Sequence, residues 1–267
     1  MKPSRELAPQ PDDLVGDSSS EAPRIPLSPL DLYTHKAKLV QNEPIQFVGF
    51  NTEFFPEIVN NGYTIQINSR GDQRPRITGG GLRYPEYMVQ NVHFHWDSEH
   101  TINSVRFMLE CHIQLVASEF KTFKEAAERK GLAILASVWR RYLFQYSEVE
   151  NPSLNTVLAA HDSISRNPKI PCLAELPIVI SQLIPDNTAN YFRYEGSITF
   201  PPFYPNTYTV FVDRAHLTRK QLYVLSDIYN EIGNPVVYNN LPTIRSKMAP
   251  PVFFNGDKNS CYCLKFP

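Results

Sequence analysis

The chain has 267 residues, 42% of them hydrophobic, enough for one large core or two smaller ones. Its 26 basic and 27 acidic side chains leave a net charge of −1, so no strong field invites nucleic acid or anionic lipid. No stretch reaches the roughly 18 consecutive apolar residues of a membrane span, MKPSRELAPQPDD lacks the apolar stretch of an export signal, and four cysteines are too few for a disulfide framework, which together predict a reducing, cytoplasmic setting.

Residues 1–25 are rich in Pro, Ser and Asp and poor in aromatics, the composition of a disordered tail. From there to residue 255 a single domain is expected, built of short β-type runs: IQFVGF (45–50), YTIQIN (63–68), YMVQNVHFHW (87–96), FMLECHIQLV (107–116), LAILASVW (132–139), SITF (197–200) and YTVFV (208–212). Gly and Pro steps such as Thr78-Gly79-Gly80-Gly81 and Phe200-Pro201-Pro202 separate many of them.

Helices are few. FKEAAER (123–129) reads as a helix with Gly131 as its C′ residue. Pro152 opens a short helix through Leu158 and Ala160. Thr218 and Gln221 fit a capping box ahead of an apolar stripe of Leu222, Leu225, Ile228 and Tyr229. Residues 256–267 read as a second tail, whose Cys261 and Cys263 are a weak metal signal. The fold class is mainly β, with short peripheral helices.

Within QNVHFHWDSEHTIN (90–103) stand His93, His95 and His100, three of the seven histidines. In a strand, residues i and i+2 share a face, so His93 and His95 project side by side, while His100 need not join them. The run carrying ECHI supplies His112 as a third imidazole. Counting back by two gives Asn91 beside His93 and Glu110 beside His112, polar groups able to accept the outer ring N–H of a metal-ligating histidine. Three neutral nitrogens from two strands leave one coordination position open, as catalytic zinc requires. His93-x-His95-x-x-x-Glu99 also fits the first motif of a cupin barrel, but no second motif with a distant histidine follows.

Taken in order, these segments resemble the α-class carbonic anhydrases. GGGLRYPEYMVQNVHFHW (79–96) resembles that family's glycine turn and zinc-binding strand, SEHT (98–101) its gatekeeping acid segment, and ECHI (110–113) its third-ligand strand. LSPLDL (27–32), KGLAILA (130–136), YFRYEGSITFPP (191–202) and VVYNNLP (236–242) match further segments. The resemblance implies a single domain on a large twisted mixed β-sheet, with zinc at the bottom of a cone-shaped cleft and carbon dioxide and bicarbonate as the small-molecule substrates. It implies His93, His95 and His112 as zinc ligands, Thr199 as the residue that orients the nucleophile while donating its own proton to Glu99, and a substrate pocket of Gln114, Ile134, Ile198, Phe200 and Tyr208.

The chain departs from the family in places. Gln114 stands where a small apolar residue usually forms the carbon dioxide wall, and a buried amide there needs hydrogen bonds of its own. Ile134 is one methylene larger than the usual valine, Phe200 replaces a Thr or His, and Tyr208 replaces a tryptophan. Tyr63 falls at the proton-shuttle position, where fast members carry histidine; a phenol, with an ordinary pKa of about 10, relays protons poorly at neutral pH. The loop from His95 to Glu99 is short, with Asp97 at a glycine position, so the reach of Glu99 to Thr199 is left to geometry. Phe203 stands where secreted members place a bridging cysteine. The expected activity is zinc-dependent hydration of carbon dioxide at a reduced rate; a carbonic-anhydrase-related binding protein without catalysis is the alternative, and an enzyme for another small substrate such as an ester has only Gln114 in its favour.

Overall fold

The computed structural model describes residues 28–69, 74–139, 149–237 and 249–257; the expected N-terminal tail, all but the first two residues of the expected C-terminal tail with Cys261 and Cys263, and most of VVYNNLP lie outside them. In chain order come β1 (Asp31–Leu32), β2 (Lys38–Val40), β3 (Ile45–Val48), β4 (Glu57–Asn60), β5 (Ile65–Asn68), β6 (Arg76–Gly79), β7 (Glu86–His95), β8 (Thr101–Ile102), β9 (Val105–Arg106) and β10 (Leu109–Ala117). The rest comprises α1 (Phe123–Glu128), β11 (Leu132–Trp139), α2 (Pro152–Ile164), β12 (Cys172–Leu173), β13 (Tyr191–Ser197), β14 (Pro205–Ala215), α3 (Arg219–Ser226) and β15 (Phe253–Asn255).

Twelve strands form one sheet in the order β12-β4-β5-β7-β10-β11-β14-β13-β15-β2, with β6 pairing both β7 and β3. The sheet is mixed: β11 and β14 run parallel, as do β15 and β2, and the other pairs are antiparallel. Every residue of β10 and β11 is buried, so both faces of the sheet's centre are covered and the apolar runs there are continuous rather than alternating. One face sends Val92, Phe94, Cys111, Ile113 and Leu135 into the core, all at most 1% exposed. Each fully buried aliphatic or aromatic side chain of this kind contributes roughly 1.5–3 kcal/mol. That core makes the sheet rigid beneath its other, polar face.

Local expectations meet four corrections. SITF is not a strand: β13 ends at Ser197, and Ile198 to Phe200 turn away ahead of Pro201 and Pro202, neither of which has an N–H for a ladder. At the end of α1 the left-handed residue is Lys130 (φ +57°), not Gly131. Gly131 N–H closes a Schellman bond to Ala126 O at 2.7 Å, and a Cβ on Gly131 would lie 2.5 Å from Phe120 Cε2, so the glycine serves close packing. Helix α2 runs on to Ile164, with Asn151 capping it. The Thr218–Gln221 capping box forms as expected, but α3 stops at Ser226, so Ile228 and Tyr229 lie beyond the helix.

Candidate metal centre

The antiparallel register of β7 and β10 sets His112 directly opposite His93, and Gln114 opposite Asn91. On the far sides of this pair, β5 places Gln66 opposite His93 and Asn68 opposite Asn91, while β11 places Ala136 opposite His112 and Ile134 opposite Gln114. Two rows therefore cross the polar face. One carries His93 and His112, with His95 opposite Glu110 on its far side, and the next carries Asn68, Asn91, Gln114, Ile134 and, on β14, Tyr208.

His93, His95 and His112 each offer one ligand atom, and these atoms lie within 4.8 Å of one another. The outer nitrogens of two rings are held. His93 Nδ1 donates to Asn91 Oδ1 at 3.0 Å, which leaves Nε2 to carry a lone pair. His112 Nε2 donates to Glu110 Oε1 at 2.7 Å, which leaves Nδ1, buried and without a hydrogen-bond partner. An unsatisfied buried nitrogen costs free energy unless something occupies its lone pair, so the donor set fits a tetrahedral, nitrogen-preferring cation. Burial and the neighbouring imidazoles push His93 well below its ordinary pKa, and burial lowers His112 despite Glu110, so both rings favour the neutral, ligating form.

A second cluster, His100, Glu110 and His112, is of a different kind. Glu110 Oε1 accepts from His100 Nδ1 at 2.6 Å as well as from His112, and Glu110 Oε2 accepts from the His100 backbone N–H at 2.8 Å. Burial pushes this carboxyl up, yet His100 and His112 together hold it well below the usual carboxylate range. His100 Nε2 meets the Tyr194 hydroxyl at 2.7 Å, and that hydroxyl meets Ser28 Oγ at 2.9 Å. The carboxylate lone pairs are already engaged, so this cluster orients His112. Strand parity predicts Glu110 but not its anchors: His100 reaches Glu110 from a loop, where no period applies.

Glu99 is buried, 3.6 Å from His95 Nδ1, and the Thr199 hydroxyl hydrogen-bonds its carboxyl. The short loop thus spans the distance. Burial pushes Glu99 up to about 7, against the opposing pull of His112 and of the Thr199 bond. Ile134, Ile198 and Tyr208 are fully enclosed, Gln114 is 3% exposed, and Phe200 is half-buried against the core. Tyr63 is 55% exposed on the loop before β5, where Asn61 Oδ1 accepts its backbone N–H.

The description "Eukaryotic-type carbonic anhydrase" matches residues 21–248. The chain belongs to that family. Carbonic anhydrase 6 of Homo sapiens is 30% identical over 230 residues, 80% of this chain and 70% of that protein. Carbonic anhydrase 1 of Monodelphis domestica is 30% identical over 227 residues, 80% of this chain and 83% of that protein. A receptor-type tyrosine-protein phosphatase zeta of Homo sapiens also matches, at 30% over 181 residues, 64% of this chain and only 7% of that protein. The carbonic anhydrase family is zinc-dependent and acts on carbon dioxide and bicarbonate, and the histidine cluster here could hold such an ion. Among the described residues Cys111 and Cys172 are free, and no helix is long and apolar enough to cross a membrane.

Proposed function

We propose that the chain is a zinc enzyme that reversibly hydrates carbon dioxide to bicarbonate and a proton. The observation that carries this reading is the convergence of His93, His95 and His112, their ligand atoms within 4.8 Å, with the outer nitrogens of His93 and His112 already tied to Asn91 and Glu110. Those three residues would hold the ion. When bound, zinc lowers the pKa of a coordinated water to about 7, the established value for carbonic anhydrase itself, and so supplies hydroxide at neutral pH.

The remaining work falls to the protein. Asn91 and Glu110 fix the tautomers of two ligands before any ion arrives, so little reorganisation is left to binding. Thr199 donates to Glu99, which leaves the lone pairs of its oxygen to accept from an incoming O–H donor and so to aim it. Ile134 and Tyr208 on the sheet and Ile198 in the turn after β13 are buried and keep one side of the site apolar and dry.

A second reading, a family member that binds without catalysing, has one observation in its favour: Gln114 puts an amide into that otherwise apolar wall. Zinc content of the purified protein together with a carbon dioxide hydration assay separates the two. Stoichiometric zinc with hydration supports the enzyme, zinc without hydration supports the second reading, and absence of zinc overturns the first.

A further inference from the structure

Gln114 is the end of a hydrogen-bonded relay that starts at a metal-facing histidine. His93 can ligate through Nε2 only if its proton sits on Nδ1, and that N–H donates to Asn91 Oδ1 at 3.0 Å. The Asn91 amide is thereby fixed, with Nδ2 donating to Gln114 Oε1 at 2.9 Å. Gln114 in turn can present only Nε2 at its other edge. Turning either amide over would set donor against donor along the chain, so the ligating tautomer of His93 and the outward direction of Gln114 Nε2 are coupled.

That NH2 group carries two donors. It meets no acceptor among the described residues, and it is not sealed from solvent, since it is absent from the enclosed unsatisfied atoms that include His112 Nδ1. Gln114 lies two residues from His112 on the same face of β10, about 6.6 Å along the strand at roughly 3.3 Å per residue. An uncharged molecule without a dipole gains little from such an N–H. An oxyanion with one oxygen at the metal and a second oxygen free accepts from it.

We propose that Gln114 is a specificity-determining donor, and that its Nε2 makes the site hold oxyanions, bicarbonate or a small carboxylate, in preference to uncharged carbon dioxide. The inference rests on the metal-binding reading above. It predicts a protein that retains bicarbonate-like ligands and is inhibited by simple carboxylates.

The test needs no turnover. Wild type, Gln114→Val and Gln114→Glu are loaded with cobalt(II), and the visible spectrum is followed as acetate or chloride is added. Hydrogen bonds to charged groups are strong enough that losing one should weaken acetate binding to Gln114→Val about tenfold or more. Chloride, which has no second acceptor atom, should change less than about twofold. Gln114→Glu keeps an oxygen for Asn91 Nδ2, so it should hold cobalt as wild type does while acetate affinity falls at least tenfold. Unchanged acetate affinity in both variants, or an equal loss for chloride in Gln114→Val, overturns the role of Gln114 and leaves the metal reading standing. Failure of wild type to take up cobalt overturns both.

Discussion

Glu110 Oε1 stands 2.7 Å from His112 Nε2 and 2.6 Å from His100 Nδ1, so one buried oxygen fixes the rings of two histidines on different elements. Removing it frees the His112 ring to rotate and unpairs two His100 donors. Glu110→Ala should therefore weaken zinc affinity about 10- to 100-fold, the usual effect of losing such an outer partner. A chelator-competition titration measures this. Unchanged affinity would show that His112 is held by packing alone.

The two clusters that share His112 can be told apart by variants outside it. His93→Ala removes a ring from the first cluster only, and two remaining imidazoles cannot close a tripod, so stoichiometric zinc should be lost. His100→Ala removes the anchor of Glu110 and should lower affinity without abolishing binding. Metal analysis of both proteins after gel filtration gives the answer. The reverse order, with His100→Ala losing the metal and His93→Ala keeping it, would place the ion in the second cluster.

A third expectation concerns stability. Asp31 accepts from Tyr33 Oη at 2.7 Å, from Ser104 N–H at 2.9 Å and from Ser104 Oγ at 2.9 Å, clamping a turn in which Asn103 and Ser104 both have positive φ. Partial burial pushes its carboxyl up, but these bonds and one from Thr101 outweigh it and leave the pKa lowered. A carboxyl lowered on folding stabilises the protein above its unfolded value and loses that contribution as pH falls through the folded one. Asp31→Ala should cost about 1 kcal/mol at pH 7, and the difference from wild type should shrink below about pH 4. Urea unfolding at the two pH values checks it; a difference independent of pH would assign the loss to packing.

What could be read from the sequence followed from periodicity. The parity of β7 and β10 brings His93, His95, His112, Asn91 and Glu110 to one face, because alternation survives wherever a ladder is continuous. The register change between Gln114 and Leu115 falls just past the site and leaves that parity intact. Ile198 and Phe200 were not legible as turn residues, since SITF has strand composition and only Pro201 and Pro202 argue against it. Ser28, Tyr194 and His100 link in series to Glu110 from three segments, and nothing local to any one of them signals the other two. Nor does the sequence reveal the direction of the Gln114 amide, which depends on the tautomer of a histidine on the neighbouring strand.

The last prediction concerns the proton. In the proposed reaction each hydration would release one, and it would have to leave the site before the next turnover. Tyr63, which the family resemblance sets at the proton-shuttle position, is 55% exposed to solvent, but a phenol is in general a poor proton relay at neutral pH. Around it Asn61 and Gln66 are joined by a hydrogen bond from Asn61 Nδ2 to Gln66 Oε1 at 3.3 Å, and Gln66 Nε2 donates to Asn68 Oδ1 at 2.8 Å. Amides can order water, but they do not titrate in this range. Turnover should therefore rise with the concentration of a small imidazole buffer, and Tyr63→His should raise it at low buffer, by up to roughly tenfold for each 1.4 kcal/mol removed from the barrier. Stopped-flow hydration across a buffer series measures both. A rate indifferent to buffer and to Tyr63→His would move the limiting step to substrate entry, and the remaining lever would then be Gln114→Val, which restores an apolar wall beside His112.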